Sequence, residues 1–330
     1  MQKSTIAMLG AGSFGTALAI HIANCGHDVL LWARDKNHVL NLEKDNCNAR
    51  YLPDCMFPEN IKTVADLDEA LHYATEVIIA TPSHAFASIL GKIKKPKNGI
   101  SWITKGIDAV SNRLLSDLVI DKWGDSYPFA VISGPSFAKE VASGLPTALV
   151  VAGNSKQYAH NLISILHNNN IRCYLSKDVV GVQICGAIKN ILAIACGISD
   201  GLNYGANAKA ALITRGLSEM MRLGSALGAK QETFMGLAGI GDLVLTCTDD
   251  KSRNRRFGLQ IGQGNSANEA IKNIGQVVEG INNVQQVCAI AQDKNIDMPI
   301  CFEVNAILNH NKSPKDAVLC LMQRPQKDEF

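Results

Sequence analysis

The feature that most constrains the fold is a glycine motif that follows an apolar run at the start of the chain. Residues 5–9 have the length and composition of a buried strand, and GAGSFG at residues 10–15 opens a helical pattern that continues to about Cys25. In such a unit the first glycine permits a tight turn, the second lets the backbone approach a phosphate, and the third permits close packing of helix on strand. The chain is therefore predicted to begin with a dinucleotide-binding βαβ unit.

Short β-branched or apolar runs alternate with helical patterns through the whole first half of the chain. This alternation predicts α/β architecture, with an N-terminal Rossmann-type, doubly wound parallel sheet. The stretch 45–60, which contains Pro53 and Pro58, is predicted to be a loop over the sheet edge. The predicted strands lie at 5–9, 28–32, 61–64, 76–81, 100–104, 129–133, 147–151 and 171–175.

From Asp178 onward apolar residues recur at helical spacing and β-branched runs disappear. A chain of 330 residues also exceeds what one hydrophobic core usually organises. We therefore expect two domains that meet at the entry to a long helix. They are an NAD(P)-binding Rossmann domain at 1–178 and an all-helical substrate-binding and catalytic domain at 179–330.

Composition narrows the class of protein. With 47% hydrophobic residues, a net charge of +2 and no basic block interleaved with aromatic residues, the chain is predicted to be globular and not to bind nucleic acid. Its ten cysteines form no CxxC pair and have no histidines at zinc spacing, so neither a metal site nor a disulfide framework is predicted. Free thiols favour the cytoplasm, and no targeting segment is predicted because the first apolar run ends at Gly10.

The residue after the second strand indicates the cofactor. NAD-selective folds place an acidic residue there to hold the ribose 2′-hydroxyl, whereas this chain has Arg34. A guanidinium suits a 2′-phosphate, so NADPH is the expected cofactor, and the following Asp35 leaves NADH as an alternative. A solvated surface arginine is the other interpretation of Arg34.

Lys189 is the only charged residue between Asp178 and Asp200. A helix that is apolar on nearly every face belongs in a core, so this lysine is predicted to be buried or to face a cleft; the alternative is that it extends to the surface. A membrane span is excluded because Lys189 and Asn190 lie mid-run. A desolvated lysine can act as an acid or base near neutral pH. Its acidic partner is predicted to be Asp200 or Asp242, the latter being equally suited to cap a helix.

Two further regions suit an anionic substrate. In SRNRR at 252–256, Ser252 at a helix start and one bidentate arginine would bind a phosphomonoester, although a solvated helix end would have the same composition. Lys105 and the segment 134–138 each follow a predicted strand at its carboxyl end, where open α/β sheets bind ligands.

Together these motifs show that the sequence closely resembles the bacterial NAD(P)-dependent glycerol-3-phosphate dehydrogenases over essentially its full length. The resemblance rests on separated segments in one order. They are GAGSFGTALA, TKGID, SGPSFAKEVA, GAIKNILAIACGISDGL, NAKAALITRGLSEM, TFMGLAGIGDLVLTCT, SRNRRFG and QVVEG.

The resemblance implies a C-terminal domain like that of 6-phosphogluconate dehydrogenase, and reduction of dihydroxyacetone phosphate to the sn-glycerol 3-phosphate that phospholipid synthesis uses. It implies that Lys189 is the proton acceptor and donor. Beside the glycines Gly10, Gly12 and Gly15, the positions that match cofactor contacts are Ser13, Phe14, Arg34, Lys105, Ala138, Arg253, Val277 and Glu279. The positions that match substrate contacts are Lys105, Gly134, Ser136, Lys189, Asp242, Ser252, Arg253 and Asn254.

Three alternatives remain at this level. They are a related dehydrogenase of another small hydroxy acid, an oxidative decarboxylase of the 6-phosphogluconate type, and a non-catalytic NAD(P) sensor. The basic cluster disfavours the first and the short helical half the second, while the isolated Lys189 speaks against a sensor. The apolar helical half also favours a homodimer.

Overall fold

The computed structural model describes residues 3–326 and residue 328 of the chain. The prediction that the N-terminus carries no targeting segment includes Met1 and Gln2, which lie outside the described residues. An α/β half precedes an all-helical half, which confirms the predicted fold class. The strands are β1 (Thr5–Leu9), β2 (Asp28–Trp32), β3 (Cys47–Asn48), β4 (Leu52–Met56), β5 (Ile61–Val64), β6 (Glu76–Ile79), β7 (Ile100–Trp102), β8 (Phe129–Ser133), β9 (Thr147–Gly153) and β10 (Ile171–Ser176).

Helices cover both faces of the sheet in the first half and form the second half. In the first half they are α1 (Ser13–Asn24), α2 (Lys36–Asp45), α3 (Leu67–His72), α4 (Ser83–Lys92), α5 (Leu115–Trp123), α6 (Ala138–Ala142) and α7 (Lys156–Leu166). In the second half they are α8 (Val179–Gly201), α9 (Gly205–Ala226), α10 (Gln231–Phe234), α11 (Asp242–Thr248), α12 (Arg253–Gly262), α13 (Ala267–Ile274), α14 (Glu279–Asp293), α15 (Pro299–Asn309) and α16 (Pro314–Met322). A π-helical turn, Leu237–Gly241, precedes α11 and is interrupted at Gly239, whose backbone is not helical.

The main sheet has eight strands in the order β10-β9-β8-β7-β6-β1-β2-β5. All neighbours are parallel except β8 and β9, so the expectation of a wholly parallel sheet is wrong at this pair. The connection between them, residues 134–146, contains one helix, α6, whose five residues rise about 8 Å, whereas a five-residue strand spans about 16 Å. The helix alone is therefore shorter than the crossover helices that return the chain along a strand in parallel βαβ units.

The predicted loop at 45–60 contains structure that the sequence analysis missed. β3 and β4 pair as an antiparallel hairpin, with Cys47 opposite Met56. The signal is weak because β3 has two residues and β4 carries Pro53 and Asp54, which are poor strand formers. This hairpin lies beside the glycine motif.

Helix α8 is the centre of the second half. It is buried along almost its whole length, and α9, α11, α12 and α14 pack around it. α12 approaches most closely, because glycines on both helices leave room for the facing backbone. Gly201 of α8 meets Gly262 of α12, Gly197 lies against the backbone of Arg255, and Gly258 lies against the backbone of Ile194. A methyl group at Gly197 would overlap the carbonyl oxygen of Arg255. These glycines hold α12 directly against the helix that carries Lys189.

One described helix, Val179–Gly201, is long and apolar enough to cross a membrane by length and composition alone. Its most apolar window is 89% buried inside the protein. It is therefore a core helix, as the mid-run lysine predicts.

Candidate active site

The glycine motif adopts the geometry that a dinucleotide requires. Gly10 has a φ of +139°, and a side chain there would lie 2.7 Å from the carbonyl oxygen of Ala80. A Cβ at Gly15 would overlap the carbonyl oxygen of Gly10, so α1 packs directly against the turn. At Gly12, in contrast, nothing lies within 4 Å of an added Cβ, and this residue caps α1 without a side chain. The first turn of α1 is thus open to an anion.

A cleft of about 520 Å³ extends from this motif between the two halves of the chain. Nine of the eleven residues predicted to bind cofactor line it. They are Gly10, Gly12, Ser13, Phe14, Gly15, Arg34, Arg253, Val277 and Glu279. Lys105 and Ala138 do not line this cleft, although Ile103 and Thr104, next to Lys105, do. Ala138 begins α6 and packs against the core of the first half. Cofactor contact at all eleven positions stays a prediction.

Arg34 and Asp35 occupy the end of the cleft beyond β2. Asp35 is the N-cap of α2, and its carboxylate accepts a 2.9 Å hydrogen bond from the backbone N–H of Asn37. Arg34 is exposed, and no carboxylate of the described residues forms an ion pair with it. One oxygen of the Asp35 carboxylate is thus engaged in capping, whereas the Arg34 guanidinium has no carboxylate partner among the described residues.

Lys189 is buried and forms an ion pair with Asp242. Its Nζ lies 2.5 Å from Asp242 Oδ1 and donates a 3.0 Å hydrogen bond to the hydroxyl of Thr246. Lys105 reaches the same carboxylate from the first half, with Nζ 2.8 Å from Asp242 Oδ2. The exposed side-chain fractions are 7% for Lys189, 1% for Asp242 and 14% for Lys105, so these charges interact with little screening by water.

The cluster shifts the pKa values of its two lysines in opposite directions. Burial lowers the pKa of Lys189 to about 8, and the positive charge of Lys105 adds to the effect in spite of the attraction of Asp242. Burial acts to lower the pKa of Lys105, but the charge of Asp242, the hydrogen bonds to Asp242 and Lys189 and the charge of Glu279 together raise it. The two ammonium groups hold the pKa of Asp242 below its usual value, although burial acts in the opposite direction. Lys189 is therefore the member that can exchange a proton near neutral pH.

Two expectations about the partner of Lys189 are corrected. Asp200 does not pair with it, because the Asp200 carboxylate lies 2.6 Å from Arg255 Nη2 and 2.9 Å from Lys209 Nζ near the other end of α8. Asp242 is not a helix cap, since Gly241 is the N-cap of α11 and Asp242 is its first residue. The Asp242 side chain is thus free to accept from both lysines.

Ser252 caps α12, as the sequence predicts, by accepting a hydrogen bond from the backbone N–H of Arg255. Arg255 is an internal ion-pair partner of Asp200 and Asp250, so it does not serve a ligand. Arg253 instead reaches the cleft, where its Nη1 donates a 3.1 Å hydrogen bond to Gln276 Oε1. The same amide oxygen accepts a 3.1 Å hydrogen bond from the Ser13 hydroxyl. Gln276 thereby joins the glycine motif to the basic cluster.

Asn254 connects this helix to the helix of Lys189. Its amide donates a 3.0 Å hydrogen bond to Asn190 Oδ1 and accepts a 2.9 Å hydrogen bond from the backbone N–H of Gly280. Asn190 in turn lies 3.3 Å from the Glu279 carboxylate. The predicted substrate residue Asn254 is therefore a buried structural link in this arrangement, and direct substrate contact there stays a prediction.

Gly134 and Ser136 lie in the turn after β8. Gly134 has a φ of +128°, and its carbonyl oxygen accepts a 3.1 Å hydrogen bond from the Ser136 hydroxyl. The same loop leads into α6, whose Glu140 forms a 2.6 Å ion pair with Lys251, next to Ser252. The structure thus brings the β8 turn toward the basic cluster, but it gives neither Gly134 nor Ser136 a direct hydrogen bond to Lys189 or Arg253.

Sequence reasoning missed the residues that assemble the site: Thr246, Asn190 and Gln276. Thr246 lies four residues after Asp242, one helical turn away, and that spacing is visible in the sequence. The paired glycines four residues apart in α8 and α12 also signal the close helix contact. Across 3–326 and 328, no group of three side chains suited to hold a metal ion is found.

Comparisons with known proteins agree with this geometry in both halves. The model described as "NAD-dependent glycerol-3-phosphate dehydrogenase N-terminus" matches residues 5–159, and the corresponding C-terminus model matches residues 178–319. The chain is 58% identical over 329 residues to glycerol-3-phosphate dehydrogenase [NAD(P)+] from Legionella pneumophila (strain Paris), with 100% of both chains covered. It is 50% identical to the protein of that name from Aeromonas hydrophila, with 99% of both covered. The crystal structure of glycerol-3-phosphate dehydrogenase from Coxiella burnetii superposes with a TM-score of 0.94 at 49% identity, over 98% of this chain and 99% of that one.

Proposed function

This chain belongs to the NAD-dependent glycerol-3-phosphate dehydrogenase family, and we propose that within it Lys189 transfers the proton, Arg253 binds the substrate phosphate and NADPH is the preferred hydride donor. The chain is an oxidoreductase that reduces dihydroxyacetone phosphate to glycerol 3-phosphate in an NAD(P)-dependent reaction. This reaction supplies the backbone for phospholipid synthesis. The observation that carries the residue assignments is the buried Lys189–Asp242–Lys105 cluster beside the cleft.

When bound in the cleft, a reduced dinucleotide would supply a hydride for the carbonyl carbon C2 of the substrate. The chain must then deliver a proton to the oxygen on C2, which gains negative charge as the hydride arrives. Lys189 suits this step because its pKa of about 8 keeps most of it protonated at neutral pH while leaving the proton transferable. Lys105 stays charged and stabilises the developing oxyanion, and Asp242 holds the two ammonium groups in place.

Binding of the substrate phosphate is assigned to Arg253 at the start of α12. The guanidinium can hold a phosphate oxygen bidentately, and the backbone N–H groups of a helix start favour an anion. Binding energy from the phosphate would align C2 for hydride transfer. Because Arg253 also contacts Gln276, substrate binding would exchange this hydrogen bond for one to phosphate.

The preference for NADPH is supported by the charges beyond β2. Arg34 carries an unpaired guanidinium at the cleft, and one oxygen of the Asp35 carboxylate is engaged in capping α2, which leaves Asp35 only its second oxygen for a ribose hydroxyl. The open space at Gly12 and the uncapped first turn of α1 fit a pyrophosphate. NADH remains the alternative donor, and no metal takes part in the reaction as proposed.

The remaining proposals concern the location of the enzyme, its oligomeric state and its division into domains. All ten cysteines are free thiols, which supports a cytoplasmic location. An apolar groove of about 560 Å³ between α9, α15 and α16, with exposed Tyr204, Leu319 and Met322 in or beside it, supports a homodimer. The end of β10 and the start of α8 support a division into domains at 1–178 and 179–330.

The test is oxidation of NADPH and of NADH, followed in parallel by absorbance, with dihydroxyacetone phosphate as substrate. Unphosphorylated dihydroxyacetone and a small 2-keto acid are the controls. The proposal predicts rapid oxidation only with the phosphorylated ketone, and a lower KM for NADPH than for NADH. Equal rates with dihydroxyacetone would refute the phosphate site, and oxidation with the keto acid alone would favour the hydroxy-acid dehydrogenase.

A further inference from the structure

The hairpin β3–β4 is fastened to the glycine motif by one buried side chain. Asn48 is fully buried, and its amide donates a 3.0 Å hydrogen bond to the carbonyl oxygen of Ala11 and a 2.8 Å hydrogen bond to the hydroxyl of Thr16. Ala11 lies within the motif and Thr16 in the first turn of α1. The hairpin tip that follows Asn48 is therefore held in fixed relation to the cofactor loop.

Two side chains of this tip, Arg50 and Tyr51, line the same cleft as Arg34. The guanidinium carbon of Arg50 lies 5.0 Å from the centre of the Tyr51 ring. Tyr51 in turn makes an edge-on contact with His38, with ring centres 5.5 Å apart. His38 is one helical turn after Asp35, so this row of contacts leads from Arg50 to the end of β2. Stacking on an aromatic ring limits the positions that the guanidinium can take.

The charges at this end of the cleft are unbalanced. Arg50 and Arg34 are both exposed, and neither forms an ion pair within residues 3–326 and 328. Two carboxylates lie near Arg50, since Asp35 and Asp45 line a second cavity, of about 350 Å³, together with Arg50. Asp35 accepts from Asn37, and neither acid reaches Arg50 to form an ion pair. Two guanidinium groups thus converge on the cleft where a ribose 2′-substituent would lie.

We propose that Arg50 is a specificity-determining residue that binds the 2′-phosphate of NADPH together with Arg34. This inference rests on the proposed preference for NADPH and adds a residue from a hairpin that the strand pattern does not predict. A phosphate dianion offers enough oxygens for two guanidinium groups, whereas a ribose 2′-hydroxyl carries no charge for them to bind. Arg50 therefore discriminates between the two dinucleotides without contacting the reacting atoms.

The test measures binding by calorimetry, so it does not depend on turnover. Adenosine 2′,5′-bisphosphate and 5′-AMP differ only by the 2′-phosphate, and the ratio of their dissociation constants reports recognition of that group. In Arg50→Ala we expect binding of the bisphosphate to weaken by about tenfold, as for a lost charge-assisted hydrogen bond, while 5′-AMP binds as before. Arg50→Lys should give an intermediate loss, because it keeps the charge without the planar fork.

Arg172→Ala is the matched control. Arg172 also stacks on a tyrosine, with its guanidinium 5.4 Å from the Tyr174 ring, but it lies on β10 at the opposite edge of the sheet. Removing that charge should leave both dissociation constants unchanged. An Arg50→Ala ratio equal to that of the unmodified protein would overturn the proposal, as would equal binding of the two nucleotides to the unmodified protein. Failure of the proposed reaction would instead appear as absent turnover of dihydroxyacetone phosphate, with the binding ratio intact.

Discussion

The substitution Asp242→Asn tests how the buried cluster sets the proton affinity of Lys189. The two side chains have nearly the same shape, so the change removes one charge without making a cavity. Asp242 lies 2.5 Å from one ammonium group and 2.8 Å from the other, and all three side chains are largely shielded from water. Because the carboxylate charge is shared by two oxygens, the charge centres are taken as about 4 Å apart, and such a pair attracts by about 4 kcal/mol at an effective dielectric constant of about 20. Losing this attraction lowers the pKa of Lys189 by about 3.

The direction of the pH effect follows from the mechanism. Reduction of the ketone requires protonated Lys189, so the rate with the unmodified protein should fall as pH rises through about 8. In Asp242→Asn the fall should move to lower pH by about 3, which leaves only a small protonated fraction and lowers the reduction rate at neutral pH by about 100-fold. Oxidation of glycerol 3-phosphate requires the neutral amine and should show the opposite trend.

The assay is kcat for NADPH oxidation across the pH range, with both substrates saturating. Asp200→Asn is the matched control, because it removes a carboxylate that pairs with Arg255 and Lys209 near the other end of the same helix. That variant should keep the pH at which the rate falls, whatever happens to its stability. A profile for Asp242→Asn that coincides with that of the unmodified protein would refute the assignment of Asp242 and with it the electrostatic argument.

Two further predictions concern other parts of the helical half. Arg253→Ala should raise the KM for dihydroxyacetone phosphate by about tenfold or more, with a smaller change in kcat. The control is Arg256→Ala, which removes an exposed neighbouring arginine and should change neither constant. An unaltered KM in Arg253→Ala would remove Arg253 from the phosphate site. Glu219→Ala should lower the free energy of unfolding by about 1–3 kcal/mol, because the Glu219 carboxylate accepts hydrogen bonds from the buried N–H groups of Ile300 and Cys301. Glu269→Ala, in an exposed capping box, should cost less in the same denaturant titration, and equal losses would contradict this role of burial.

Much of the fold is readable from periodicity. The eight strands of the main sheet match the predicted runs closely, because parallel strands covered on both faces are continuous apolar segments. Strand direction carries no such signal, so the antiparallel β8–β9 pair is seen only in the structure. The hairpin β3–β4 was missed because its strands are short and polar, and tertiary contacts through Asn48 hold it in place.

Some features of the candidate site were likewise predictable from the sequence, and others were not. Lys189 stands out in the sequence because a single charge in a helix that is apolar all round must be either paired or functional. Its partner could not be chosen between Asp200 and Asp242, because the choice depends on how α11 packs on α8. Contacts such as those of Gln276 with Ser13 and Arg253 join residues more than 20 positions apart, and no local pattern predicts them.

The most direct test of the central claim is the replacement of Lys189 by alanine, measured in a single turnover with NADPH already bound. The account predicts that reduction of dihydroxyacetone phosphate slows by orders of magnitude, that the dissociation constant of NADPH is nearly unchanged, and that added ethylammonium partly restores the rate by supplying the missing proton donor. Lys209→Ala serves as the control, because it removes a lysine that pairs with Asp200 outside the cluster, and it should leave the rate of reduction unchanged. Turnover by Lys189→Ala at the rate of the unmodified protein would contradict the assignment of Lys189 as the proton-transfer residue.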